Sequence, residues 1–100
     1  MNAELKRRWI KNLRSGKYAK CTTDLHNVKG YCALGVYLDT IDPNKWVWRG
    51  ENKNYHWQGF ISILPIDVNF HKSAIIAKMS DEGATFDKVA DFIETNIPED

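Results

Sequence analysis

Cysteine, proline and long apolar runs are all scarce in this chain, and each shortage removes a class of protein. Two cysteines, Cys21 and Cys32, are too few for a disulfide framework, and a reducing compartment keeps such residues as thiols. No segment approaches the roughly 20 apolar residues of a membrane-spanning helix. The start, Met1 to Arg8, also lacks the apolar core of a secretory leader, so the expected location is the cytoplasm, without a membrane partner. Neither a C-x-x-C nor an H-x-x-x-H spacing occurs. Cys21, His26 and Cys32 therefore make a poor metal set, and neither a metal nor a cofactor is expected. Internal repeats and low-complexity segments are missing as well.

What remains is the composition of an ordinary globular protein. At 100 residues, 43% hydrophobic and 27% charged, the chain suits one domain over 1–100 with one modest core. Its net charge of +1 hides a strong asymmetry. Residues 1–30 hold eight Lys/Arg against two acids, whereas residues 81–100 hold seven acids against one lysine. Such a dipole either draws the two ends together or presents them to different partners.

The stretch Gly30 to Asp39 predicts a short central helix over 31–41, apolar on two faces. Tyr31, Leu34, Tyr37, Leu38 and Ile41 fall on one stripe of a 3.6-residue wheel, with Cys32 and Val36 opposite and Asp39 beside them. A helix apolar on both sides is buried on both sides. Gly35 inside it implies another backbone passing close by. Asp42-Pro43 stops it. A first helix is expected from Ala3 to Ser15, capped by Asn2, burying Leu5, Trp9 and Leu13 and stopped at Gly16. Its opposite face carries Arg7, Lys11 and Arg14 as a basic ridge, continued by Lys17 and Lys20. A last helix starts at Thr85, buries Phe86, Val89, Ala90, Ile93 and Ile97, and lines one flank with Asp87, Asp91 and Glu94.

Between these helices the alternation is of strand type. Cys21 to His26, with two β-branched threonines, reads as a strand, followed by a turn and a brief return at Gly30-Tyr31. Residues 45–49 and 55–58 read as a hairpin across Gly50 to Asn54, with Trp46, Trp48, Tyr55 and Trp57 on one face. Phe60 to Pro65 reads as another ordered segment, and Pro65 with Asp67 opens a helical turn through Phe70. Ser73 to Met79 fits helix or strand, and Ser80 to Gly83 reads as a turn. The expected fold is α+β: three helices packed on a small antiparallel sheet built from 20–26 and the 45–58 hairpin.

Three fragments carry a resemblance: Leu13-Arg14-Ser15-Gly16-Lys17-Tyr18, then Tyr31-Cys32-Ala33-Leu34-Gly35-Val36, then Gly83-Ala84-Thr85-Phe86 through Glu94. In order and approximate spacing they resemble a group of small bacteriophage and prophage proteins with an L-R-S-G-K-Y start, a C-C-L-G-V centre and an S-F-x-x-I-A-D-x-I-E ending. Ala33 stands where that group has its second cysteine, and Met79-Ser80-Asp81 where it tends to L-N-D. No activity is known for the group. The resemblance implies a phage origin and a shared fold, and carries over no functional residues.

Three readings of function follow. Cys32, placed in the first turn of a helix, would have its thiol pKa lowered by unpaired N–H groups and the helix dipole, as in cysteine hydrolases. His26, His56 or His71 would then be the base, and Asp39 or Asp67 the orienter. Free cysteine is, however, most often a small buried hydrophobe. A single-stranded nucleic acid would suit the basic ridge Arg7, Lys11 and Arg14 together with the tryptophan hairpin, although the near-neutral chain has an acidic last helix. Residues 74–97 also suggest the first two helices of a helix-turn-helix, but a recognition helix does not follow. A non-enzymatic protein that docks on a host protein, through Asp87, Asp91 and Glu94 or through Trp46, Trp48, Tyr55 and Trp57, needs no cleft and is the leading expectation. The bland alternative is that the acids pair with the basic N-terminal segment and the tryptophans fill the core.

Overall fold

The computed structural model describes residues 1–59 and 70–99. The ordered segment expected at Phe60 to Pro65 and the helical turn expected from Pro65 and Asp67 lie outside the described residues. In chain order the described elements are α1 (Ala3–Arg14), β1 (His26–Asn27), β2 (Gly30–Tyr31), α2 (Ala33–Ile41), a 3-10 turn (Pro43–Lys45), β3 (Trp46–Arg49), β4 (Asn54–Trp57), α3 (Phe70–Asp81) and α4 (Phe86–Asn96). The class is α+β, with an antiparallel four-stranded sheet in the order β2-β1-β4-β3. Among the described residues no helix is long and apolar enough to cross a membrane.

The short central helix α2 is the axis of the molecule. Every residue from Ala33 to Leu38 is buried, as a helix apolar on both sides requires. On one side lies α1, whose Trp9 indole N–H donates to the Ala33 carbonyl at 3.0 Å while its ring meets Tyr37 at 4.7 Å between centroids. Farther along the same contact, Arg8 donates to the Thr40 carbonyl at 3.0 Å and the Asn12 amide to Thr40 Oγ1 at 2.8 Å. From α3 comes Ser80, fully buried, whose Oγ accepts the Ala33 N–H at 3.3 Å. That hydroxyl satisfies one of the orphan donors at the start of α2. The fourth helix, α4, packs its Val89, Ala90 and Ile93 into the same core as Trp9 and Leu13.

Two glycines mark where backbone meets backbone. A Cβ on Gly35 would lie 1.9 Å from the Leu25 carbonyl oxygen, the close approach expected of a glycine inside a buried helix. The same oxygen accepts the Cys32 N–H at 2.9 Å, so Leu25 fixes the start of α2 by one hydrogen bond and one steric limit. A Cβ on Gly30 would lie 2.2 Å from the Ala19 carbonyl oxygen, which accepts the Tyr31 N–H at 2.9 Å.

The caps are those the sequence implies: Asn2 Oδ1 accepts from Leu5 N–H at 3.0 Å and Thr85 Oγ1 from Lys88 N–H at 3.2 Å. Four points differ. The described residues hold four α-helices rather than three, because 70–81 is helical, settling the Ser73 to Met79 ambiguity. Four contiguous apolar residues, Ala74 to Ala77, erase any period there, and the lysines, alanines and Met79 around them favour helix. Ser80 and Asp81 thus belong to a helix end, leaving Glu82 and Gly83 as the turn. Of the strand expected over 20–26, only His26 pairs as part of a strand, with an isolated bridge at Lys20. Thr23 takes φ of 69°, which takes it out of any strand, and its N–H is held by Asp81 Oδ1 at 2.9 Å. Finally, Tyr31 sits in β2 instead of α2, with Cys32 as the helix cap.

Gly35→Ala should lower stability by about 3 kcal/mol, the upper range for an overpacked core. A control is Gly50→Ala, whose Cβ would meet only Trp48 Nε1 at 3.5 Å and should change stability little. Urea unfolding midpoints of the two variants check this, and equal midpoints would contradict it.

Candidate functional site

The sheet concentrates the aromatic residues on one face. In the β3–β4 hairpin Trp46 stands opposite Trp57 and Trp48 opposite Tyr55, so these four residues share a face in register. The next strand continues the row: the Asn27 to Asn54 pairing brings His26 beside Tyr55, and His26 stands opposite Tyr31. The His26 imidazole is sandwiched, 3.7 Å from the Tyr31 centroid at 6° and 4.2 Å from the Tyr55 centroid at 13°. Trp48 closes one end of the row edge-on to Tyr55 at 5.0 Å, and Tyr18 the other end edge-on to Tyr31 at 5.0 Å. Such tilted and offset pairs add about 0.5–1.5 kcal/mol each beyond their burial. The Gly30 carbonyl lies 2.7 Å from His26 Nδ1. A carbonyl only accepts, so Nδ1 carries the proton.

Asp39, on the half-buried edge of α2, ties this row to the helices. Its carboxylate accepts the Tyr18 hydroxyl at 2.6 Å and the Trp46 indole N–H at 3.0 Å. Burial, then the bond to Asp39, push the Tyr18 hydroxyl pKa well above the usual phenol range. Tyr31 is raised in the same direction, by burial first and then by the Asp39 charge. The sequence offers Asp39 as an orienter of a histidine, and its hydrogen-bond partners here are aromatic side chains.

Burial grades across the hairpin. Trp57 is fully buried in the core and donates to the Asp42 carbonyl at 2.9 Å; Trp46 and Tyr55 are half-buried. Trp48 is 45% exposed and its neighbour Val47 44%. β3 is also the sheet's edge. Gln58 N–H donates to the Lys45 carbonyl at 3.1 Å, which sets the phase of the ladder. By alternation Val47 and Arg49 turn their backbone groups toward β4, and Trp46 and Trp48 turn theirs away from the sheet. Within the hairpin loop Lys53 adopts φ of 55°.

The thiol sits elsewhere. Cys32 is the cap of α2, 5% exposed, and its Sγ accepts from Gly35 N–H at 3.4 Å. Burial pushes its pKa up to about 11, outweighing the lowering by the Gly35 and Leu34 N–H groups. Of the two readings the sequence leaves open for Cys32, the packing matches the small buried hydrophobe and not the dipole-lowered thiol, because desolvation exceeds the helix-end effect. Of its candidate partners, His26 is stacked in the sheet, His56 projects from β4 on the side opposite Tyr55, and His71 is exposed at the start of α3. Asp67 lies outside the described residues. Cys21 is a second buried thiol, also raised by burial and donating to the Asp24 carbonyl at 3.4 Å.

The charged candidates divide between use and exposure. Arg14 is paired with Asp91 at 2.6 Å and with Glu94 at 3.0 Å, so the basic ridge and the acidic flank meet across α1 and α4. Lys6, buried beside them, donates to the Glu94 carbonyl at 3.3 Å. Arg7 and Lys11 remain exposed along a groove of about 750 Å³, and Asp87 is exposed in the first turn of α4. Among the described residues no group of three or more His, Cys, Asp or Glu is gathered to hold a metal ion. Sequence reading missed Tyr18, Tyr31 and the stacked role of His26. For His26 and Tyr31 the signal was strand alternation, obscured because β1 and β2 are only two residues each; Tyr18 lies in no strand and carried no such signal.

A family model described as a domain of unknown function, DUF8296, matches residues 1–72. No curated protein and no solved structure matches the chain.

Two consequences are measurable. Asp39→Ala leaves the Tyr18 and Trp46 donors without their acceptor and should cost about 2 kcal/mol, by the usual worth of hydrogen bonds to a charged group. A urea midpoint unchanged from the parent would show that Asp39 does not hold the row. For Cys32 the folded pKa is raised from the ordinary 9.0 to about 11, so its stabilisation is full below pH 9 and lost as pH rises toward 11. The loss should reach about 2 to 3 kcal/mol at the alkaline end, by the size of the shift. Unfolding midpoints from pH 8 to 11 should therefore fall more steeply in the parent than in Cys32→Ala, and parallel curves would refute the sealed thiol.

Proposed function

Because the chain belongs to the DUF8296 family, whose description names no activity, we propose its function from its own geometry: a non-enzymatic accessory protein of phage type that acts in the host cytoplasm by docking on a host protein. The observation that carries this reading is the edge strand β3. It offers unpaired backbone donors and acceptors at Trp46 and Trp48 with two exposed apolar side chains, Trp48 and Val47, beside them. An exposed edge of this kind templates the addition of a partner strand. Exposed tryptophan is also the side chain most enriched among residues that dominate binding energy. The cysteine hydrolase reading has less support: a thiol at 5% exposure with its pKa pushed up to about 11 is a weak nucleophile at neutral pH.

A single-stranded nucleic acid is the second reading, favoured by the exposed Arg7 and Lys11 and by the part-exposed ring of Trp48. Against it, Arg14 is already neutralised by Asp91 and Glu94.

The test uses proline as a backbone probe. Trp48→Pro removes an outward N–H while sparing the ladder to β4, whereas Val47→Pro removes an inward one. Host proteins retained by the immobilised parent should be lost with Trp48→Pro and kept with Arg7→Glu/Lys11→Glu, with circular dichroism confirming that each variant folds. Retention that survives Trp48→Pro would sink the edge strand as the contact. Retention that is nuclease-sensitive and lost with Arg7→Glu/Lys11→Glu would replace the protein reading by the nucleic-acid one.

A further inference from the structure

We infer that the occupant of the β3 edge is an acidic, extended segment of a partner protein, added antiparallel or parallel as a fifth strand with its carboxylates against Lys45, Arg49 and Lys53. The inference rests on the docking reading above and specifies the chemistry of the partner. Along the hairpin the basic residues recur every fourth position at 45, 49 and 53, and the only acid between 45 and 58 is Glu51. None of the ion pairs among the described residues includes Lys45, Arg49 or Lys53. Lys45 instead rests over the Trp57 ring at 5.0 Å, and Arg49 lines a small cleft of about 280 Å³ with Asn54, His56 and Asp24, whose carboxylate is engaged by the Asn27 and Asn54 amides and not by Arg49. The edge thus combines unpaired main-chain groups with unneutralised positive charge.

The same geometry selects against a second copy of this chain. The outward groups belong to Trp46 and Trp48, so two antiparallel β3 strands satisfy both only when centred on Val47. That register sets Trp46 against the second copy's Trp48 and Lys45 against the second copy's Arg49, at both ends of the pairing. Like charges directly opposed across strands are destabilising. A partner strand carrying Asp or Glu at those positions converts each repulsion into an attraction, which is discrimination by charge as well as by shape.

The test is a titration of the full-length, nitrogen-15-labelled chain with three eight-residue peptides that share an alternating Thr/Val frame and differ in carrying Glu, Ser or Lys at the remaining positions. The Glu peptide should shift and protect the Trp46 and Trp48 amides and saturate below about 1 mM, the weak end of specific association. It should bind at least tenfold more tightly than the Lys peptide, and Lys45→Glu/Arg49→Glu should invert that order while leaving the core signals other than those of Trp57, over which Lys45 rests, unchanged. Trp48→Pro should abolish binding of both peptides.

Equal affinity for the Glu and Lys peptides, or no shift at Trp46 and Trp48 with any of them, overturns the inference. If host-protein retention remains sensitive to Trp48→Pro in that case, the docking reading survives without its acidic partner; if retention is insensitive too, both fail. Concentration-dependent dimerisation by sedimentation that Trp48→Pro removes would overturn it in favour of a second copy. Competition by an oligonucleotide at the Trp46 and Trp48 amides would overturn it in favour of a nucleic acid.

Discussion

Everything in this fold turns on one carbonyl oxygen. Leu25 O accepts the Cys32 N–H and lies where a Cβ on Gly35 would be, so the loop before β1 is pinned across the first turn of α2. From that point the chain runs one way into the sheet and the other way into the helical core. The loop sets where His26 emerges, and thereby the phase of β1 against β4. The helix sets where Asp39 emerges, one face away from Trp9 and Tyr37. The hydrogen bonds from Tyr18 and Trp46 to Asp39 close the circuit between the two halves.

The sequence made the helices legible and the sheet only partly so. Asn2 and Thr85 announce their helices because a cap is a local device, read from one side chain and the next three residues. The double burial of α2 and the close approach at Gly35 were equally visible, since a wheel shows which residues cannot all face one neighbour. What was hidden was long-range. The strands of two residues cannot display a period, and the left-handed Thr23 is held by Asp81, a partner far along the chain. α3 was ambiguous because its apolar residues are consecutive.

The candidate site shows the same division. The shared face of Trp46, Trp48, Tyr55 and Trp57 follows from alternation within one hairpin, so it could be read directly. Which of them is buried could not, because alternation fixes the face and not the depth: Trp57 enters the core while Trp48 is left 45% exposed. The thiol is the clearest lesson. The helix end and the burial of Cys32 act on its pKa in opposite directions, and only the packed structure gives their relative size. The meeting of the basic ridge with the acidic flank at Arg14 likewise turns an apparent binding feature into a clasp between α1 and α4.

That clasp has a temporal side. α1 leaves the ribosome before α4, yet Leu13 and Trp9 share their core with Val89 and Ile93, and Arg14 waits for Asp91 and Glu94. Contacts of such long separation carry the full entropy of closing the intervening loop and form late. During translation Trp9 has α2 to pack on, through Ala33 and Tyr37, while the part of the stripe that meets Val89 and Ile93 stays uncovered until the fourth helix has been made. The contacts that seal the first helix are therefore among the last to form, because they wait for Val89, Asp91, Ile93 and Glu94.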